Sequence, residues 1–313
     1  MARLPNIERV IMKEKPNKLI TRLNLYEKII VAIIGILFAV YCISLVMPIV
    51  WATLMSFKDV IEYTLDPYGL PQKLSFENYV SVWNKMKISV LTSRGVVEYG
   101  IFDMVGNTLL LSVGMPLLSV FFTTVMAYVL GRYKFVGSRF LTQFGIILMI
   151  LPIIGTFTYQ YSVYKRLGIY DNILLYILIS PQGCFAGMNF LILRAAFKRI
   201  PWDYAEAAFV DGGGHYCVFF RIMLPMVIPT SLVFFLLGFL SAWNDYNTTL
   251  IWLPSKPTLA YGMYIFQIQA VQYEATQPEI LAGFILVMIP TVILYLLLHN
   301  AIINKVQMGG LKG

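Results

Sequence analysis

The sequence predicts an all-helical integral membrane protein with six transmembrane helices and both termini in the cytoplasm. Three observations carry that expectation. The 313-residue chain is 58% hydrophobic and only 13% charged, whereas a soluble domain carries about 25% charged residues. The apolar residues are gathered into six stretches without Asp, Glu, Lys or Arg, at 29–57, 104–131, 140–164, 172–193, 222–244 and 280–304. Each is long enough to cross a bilayer, which takes about 20 apolar residues. A charge at mid-membrane costs roughly 2.5–3.5 kcal/mol on insertion scales, so six clean windows do not fit the buried helices of a large soluble core.

The third observation is where the charges lie. The net charge is +8, and 16 of the 24 basic residues fall in the N-terminal tail, the second and fourth connections and the C-terminal tail. Those segments hold only 6 of the 16 acidic residues. Basic loops stay on the cytoplasmic side, so the excess is a topology signal and calls for no nucleic-acid partner. The first apolar run is too long for a signal peptide and follows a long basic tail, so no cleavable leader is expected. Cys42, Cys184 and Cys217 are not placed for an extracellular disulfide.

The elements follow in order. Residues 1–28 form a charged cytoplasmic tail. Ile7, Val10, Ile11, Leu19 and Ile20 alternate there with Lys and Arg, which suits either a helix lying on the membrane surface or an unstructured tail. Residues 58–103 form the longest external loop, with room for one or two short helices, serving as a docking surface or as a cap over helix ends. Residues 29–304 form the membrane domain. Pro152, Gly155, Pro181 and Gly183 interrupt the third and fourth runs, as happens where helices bend around a cavity. The fifth connection, from Asp245 to Glu279, carries Pro254 and Pro257. Residues 305–313 form the cytoplasmic C-terminal tail.

The polar segment 199–225 stands apart from these runs. Pro201 suits a first helical turn, and Asp203 complements the positive end of the helix dipole. Ala205, Ala207 and Ala208 favour helix, and Gly212, Gly213 and Gly214 end it. A second helix then runs from about His215 to Leu224, and Pro225 marks a bend into the fifth span. The product is a short helix, a glycine corner and another helix. Small alanines let a second protein approach closely, and Glu206 and Asp211 offer carboxylates to it.

The run Glu206-Ala207-Ala208-x-x-Asp211-Gly212, followed by an aromatic-rich stretch ending Leu224-Pro225, resembles the EAA loop of carbohydrate ABC importer permeases. Gly106-Asn107-Thr108-Leu109, Ala127-Tyr128, Gly131-Arg132-Tyr133, Trp243-Asn244-Asp245 and the Lys312-Gly313 ending resemble the same family. The match runs from about Ile29 to the C-terminus and is similar to the shorter, six-span subunit of maltose importers, with a type I importer architecture. Gly213-Gly214 departs from the family pattern and implies a more flexible corner. The resemblance implies that Glu206, Ala207, Ala208, Asp211 and Gly212 couple the chain to an ATPase. It also implies a second permease subunit, two copies of the ATPase, an extracytoplasmic solute-binding protein and a sugar or oligosaccharide substrate.

The chain itself lacks the means to use ATP. No Gly-x-x-x-x-Gly-Lys-Ser/Thr sequence occurs, so no phosphate-cradling loop is expected. ATP and Mg would be used by the partner ATPase, and no cofactor or metal is expected on this chain. The only histidines, His215 and His299, lie far apart with no cysteine cluster or orienting acid beside them. A sugar path needs flat aromatics with amide and hydroxyl groups. Tyr159, Tyr161, Asn189, Trp243, Asn244 and Asp245 supply them, although tyrosines at span ends equally form an interfacial belt. Three alternatives remain in view: an importer permease for another small solute, a membrane enzyme whose catalytic carboxylates would have to be Glu206 and Asp211, and a secondary transporter or channel. The last would be expected to carry ionisable groups within its spans.

Overall fold

The computed structural model describes residues 24–92, 95–151 and 155–310. The expectations for residues 1–23, for Pro152 and for Lys312-Gly313 fall outside them. The chain is mostly helical. In order it forms α1 Leu25–Met55, α2 Val60–Leu65, α3 Glu77–Lys85, β1 Ile88–Thr92, β2 Gly95–Tyr99, α4 Ile101–Arg132, α5 Ser138–Ile150, α6 Phe157–Arg166, α7 Ile173–Leu178 and α8 Met188–Arg199. There follow α9 Asp203–Val210, α10 His215–Trp243, α11 Asn247–Trp252, α12 Leu259–Ile268 and α13 Gln277–Gly310.

Four helices among the described residues are long and apolar enough to cross a membrane: α1, α4, α10 and α13. The third and fourth apolar runs are each divided, at the interruptions expected from Gly155, Pro181 and Gly183. The third becomes α5 and α6, with Leu151 extended at ψ 118° and Gly155 in the left-handed region at φ +80°. The fourth becomes α7 and α8, separated by turns through Pro181 and Gly183. Proline has no N–H for the helical ladder, and Gly183 takes φ +75°, which side chains other than hydrogen disfavour. The last helix runs on through Gly310, past the expected end of its span.

Two segments expected as loops are folded. Residues 58–103 hold the two short helices α2 and α3 and, in addition, an antiparallel hairpin in which Val90 faces Val97. The buried Lys58 donates through Nζ to the Asp66 carbonyl. The Asp66 carboxylate accepts the N–H groups of Gly69 and Tyr68, which hold it below the usual carboxylate range. The fifth connection holds α11 and α12, and Leu259, Met263 and Phe266 of α12 are buried.

Among the described residues the core forms three clusters, one of them around Leu111, Tyr164, Ile177 and Trp252, and the other two make the poles that bear on the site. One pole packs Val82, Met86, Met104, Phe239, Trp243, Met263 and Phe266, joining α3 to α4, α10, α12 and α13. Lys85 reaches Glu279 at 2.9 Å there, and the Glu279 carboxylate also accepts the Ser81 hydroxyl and the Thr276 N–H. Asn107 and Thr108, two of the residues that carried the resemblance, act as tethers: Asn107 Nδ2 donates to the Pro257 carbonyl at 3.0 Å and Thr108 Oγ1 accepts the Leu259 N–H at 2.8 Å. The other pole packs Tyr128, Phe190, Phe197, Val218, Phe219 and Met223 beneath α9. Between the poles α4 and α10 run close, and a Cβ on Gly238 would stand 2.9 Å from Pro116 Cβ.

Candidate functional site

The site is built on α9. Trp202 caps it, so Pro201 stands just before the helix instead of in its first turn. Asp203 and Glu206 occupy the first turn, where carboxylates complement the dipole. Helical spacing then sorts the residues by face. Ala205 is fully buried, and Ala208 and Phe209 turn inward to the lower core. Glu206, Ala207 and Asp211 face outward. Val210 is 87% exposed and, beyond the corner, Tyr216 is 84% exposed. Large apolar groups at that exposure are available to a second protein.

The corner after α9 explains the Asp-Gly pair. Asp211 ends the helix and Gly212 takes φ +80°. Gly212 N–H donates to the Phe209 carbonyl at 3.1 Å and Gly213 N–H to the Ala208 carbonyl at 2.8 Å. Those are the two bonds of a Schellman ending, which needs a left-handed residue after the cap. A Cβ on Gly213 would lie 2.8 Å from the Ala208 oxygen, so the departure from the family pattern at this position leaves room for the second bond.

The second helix of the corner does not stop at Pro225. His215–Trp243 is a single helical run of 29 residues. The proline is accommodated by a π turn over Val218–Met223, where Leu224 N–H reaches back to Phe219 O. An extra residue in the turn relieves the clash between a proline ring and the carbonyl four residues before it. The expected bend is therefore a widened turn inside one rod.

Anchorage of α9 goes beyond that rod. Arg132, at the end of α4, donates to the Ile200 carbonyl and places its guanidinium 5.3 Å from the Trp202 ring centroid. Tyr133 packs edge-on to Trp202, Tyr128 and His215, and its hydroxyl bonds His215 Nδ1. Arg194 Nε on α8 donates to the Leu130 carbonyl at 3.2 Å. The ends of α4, α8 and α10 thus hold α9 together. Sequence reasoning quoted Tyr128, Arg132 and Tyr133 only for their resemblance, passed over Trp202, and found no partner for His215. The signal was present as the aromatic residues Tyr128, Tyr133 and Trp202 at the ends of α4 and α9.

The proposed path residues are dispersed. Trp243 is 1% exposed and its Nε1–H donates to the Val287 carbonyl at 3.0 Å, packing α10 on α13. Asn244 is exposed and bonds back to Leu240 O. Asp245 accepts the N–H groups of Asn247 and Thr248, starting α11. Tyr159 is exposed on α6, Asn189 is exposed in the first turn of α8, and Tyr161 stacks among Phe157, Tyr170 and Trp252. Of the six, Asp245 alone lines a cavity of about 220 Å³ between α4, α10 and the break in the fourth run. Ser119, Ser180 and Ser241 line it too, and Ser180 Oγ donates to the Met115 carbonyl at 3.1 Å. Among the described residues no group of His, Cys, Asp and Glu is gathered for a metal ion.

Comparison with known proteins adds an independent finding. Residues 120–308 match the model of the family described as "Binding-protein-dependent transport system inner membrane component". The chain is 24% identical over 288 residues to the diacetylchitobiose uptake system permease protein NgcG of Streptomyces coelicolor, covering 89% of this chain and 88% of that one. It is 26% identical over 273 residues to the trehalose transport system permease protein SugB of Mycobacterium tuberculosis, covering 85% and 92%. Its fold is similar to a chain in the crystal structure of a bacterial ABC transporter involved in the import of alginate, with TM-score 0.70, 21% identity and coverage of 89% and 98%.

Proposed function

The chain belongs to the family of binding-protein-dependent transport system inner membrane components, and from that premise we infer that it is the membrane-spanning permease subunit of an ATP-driven ABC importer for a sugar or oligosaccharide. The observation that carries the reading is α9: a short helix with an exposed face of Glu206, Ala207, Val210 and Asp211, tied on its inner face to the ends of three long or membrane-facing helices. In this reading the chain crosses the membrane six times, with the third and fourth crossings made by broken helices, and both termini and α9 lie in the cytoplasm.

Glu206, Ala207, Val210 and Asp211 dock α9 into one of two ATPase subunits, which bind ATP and Mg, with Gly212 shaping the corner; Ala208, expected to face the ATPase, instead packs inward and holds the helix to the core. Closure of the ATPases moves α9 as a unit. Because Arg132, Trp202, Tyr133 and His215 fasten it, the displacement reaches α4 and α10 together and rocks the bundle between inward-open and outward-open states. A second permease subunit completes the path, of which Ser119, Ser241 and Asp245 form one wall. The relatives' diacetylchitobiose and trehalose point to a carbohydrate. On the outer side a groove of about 1190 Å³, lined by Asp59, Glu62, Asp66, Leu65 and Phe76 among others, suits the solute-binding protein.

The test is to co-express the chain with its partner permease, ATPase and binding protein, purify the assembly and measure ATP hydrolysis against a panel of glycans. Stimulation by one glycan together with its binding protein is expected. Solute uptake that persists without the ATPase would instead identify a secondary transporter, and stimulation by a non-sugar would identify an importer for another solute.

A further inference from the structure

A second feature lies beside the α9 anchor and shares Arg132 and Arg194 with it. A cavity of about 600 Å³ opens between the end of α4, the connection 133–137, the start of α5 and the side of α8. Five cations line it: Arg132, Lys134, Arg139, Arg194 and Lys198. No carboxylate lines it, and none of the five belongs to an ion pair among the described residues. Arg132 Nε is shielded from solvent and has no hydrogen-bond partner. The cavity also receives the start of α5, a helix of 13 residues with no side-chain cap and no acid in its first turn. Its leading N–H groups therefore add partial positive charge to the five cations.

Like charges crowded at this density repel one another, and the arrangement is favourable only when an anion is among them. The surroundings specify the kind of anion. Phe135, Val136 and Phe140 on the rim are exposed, Val136 completely, and the whole lies at the end of a membrane-crossing helix. Cations next to bare apolar side chains at a helix end match a molecule with a charged phosphate and a hydrocarbon body.

We propose that this cavity binds a phosphate group, that of an anionic phospholipid headgroup held against the ends of α4, α5 and α8. Lys134, Arg139 and Lys198 are exposed and supply attraction, while Arg132 and Arg194 are half-buried and held by the Ile200 and Leu130 carbonyls, so they supply a fixed floor. The site stands on the chain's being embedded in a membrane and is independent of which solute is carried or what docks on α9.

The experiment compares the assembled transporter in nanodiscs of phosphatidylcholine with and without phosphatidylglycerol, and reads bound lipid by native mass spectrometry. The native chain is expected to retain phosphatidylglycerol selectively. The triple variant Lys134→Gln, Arg139→Gln, Lys198→Gln is expected to lose that retention by at least about tenfold, since each surface charge near a membrane contributes about a fivefold preference. A control variant at the opposite end of the bundle, Lys165→Gln with Lys256→Gln, should retain the lipid. Inorganic phosphate is added in a parallel arm. Displacement of the lipid there supports a phosphate site open to the free anion, and failure to displace it supports the lipid alone. Equal retention of both lipids by the native chain, or unchanged retention in the triple variant, overturns the proposal.

Discussion

The Tyr133 hydroxyl lies 2.9 Å from Nδ1 of His215, joining the connection after α4 to the first residue of α10. The same oxygen is 3.2 Å from the Tyr128 hydroxyl. When the imidazole proton is on Nε2, Tyr133 donates to Nδ1 and its own oxygen accepts from Tyr128. Two helices that approach α9 from different directions are thereby linked through one phenol.

Replacing Tyr133 with Phe keeps the ring packing and removes the link. A hydrogen bond of this kind contributes about 1 kcal/mol. Insertion into the membrane should be unchanged, while ATP hydrolysis per solute transported rises several-fold. Parallel measurement of hydrolysis and uptake in proteoliposomes checks this, and an unchanged ratio would show that the link carries no motion.

Gly212→Asp places a side chain at φ +80°, which costs roughly 1–2 kcal/mol, and loosens the corner that presents α9. Glu206→Lys reverses the charge on the exposed face. Both variants should insert normally and retain less ATPase after a salt wash of the membranes. Normal retention in the double variant would count against docking at α9.

Gly238→Val should disturb the bundle itself. The added Cβ meets Pro116 at 2.9 Å, and overpacking of this kind costs about 1–3 kcal/mol. A lower unfolding temperature of the detergent-purified assembly is expected, with Gly35→Ala, which meets nothing within 4 Å, as the silent comparison.

Lys85→Met leaves the Glu279 carboxylate, 8% exposed, without its cation. Ser81 and Thr276 still donate to it, so the loss should be about 1–3 kcal/mol, less than for a fully orphaned buried charge. Limited proteolysis should cut the segment between α2 and β2 faster in the variant.

The turn at Asp66 should respond to acid. Its carboxylate pKa is lowered by the Gly69 and Tyr68 N–H groups, so its contribution is complete above the unfolded value of about 3.9 and is lost as pH falls through the lower folded value. Exchange protection at the Gly69 amide should fade over that acid range and be absent throughout in Asp66→Asn.

Much of this was legible in the sequence, for identifiable reasons. Long charge-free runs announce themselves, so α1, α4, α10 and α13 were readable with boundaries a few residues off. The α9 corner was readable because Ala, Asp and Gly each have a distinct backbone preference. The breaks in the third and fourth runs were legible too, because Pro181 and Gly183 outweigh apolar content in deciding where a helix stops. The hairpin 88–99 hid in a segment rich in charges, and α12 hid in a connection whose prolines read as loop. Trp243 was expected on a sugar path, yet it is 1% exposed and bonded to the Val287 carbonyl of α13, an element distant in sequence. The anchor of α9 was invisible for the same reason: Tyr133 and His215 are 82 residues apart.

The widened turn at Val218–Met223 has a consequence for register. An α-helix advances about 100° per residue, so one surplus residue between His215 and Leu224 sets the azimuth of everything before it. Deleting a single residue there would leave the membrane segment of α10 intact and swing His215 about a third of a revolution away from Tyr133. The angular phase between the α9 corner and the long apolar rod is thus stored in one backbone insertion, and no side chain could restore it.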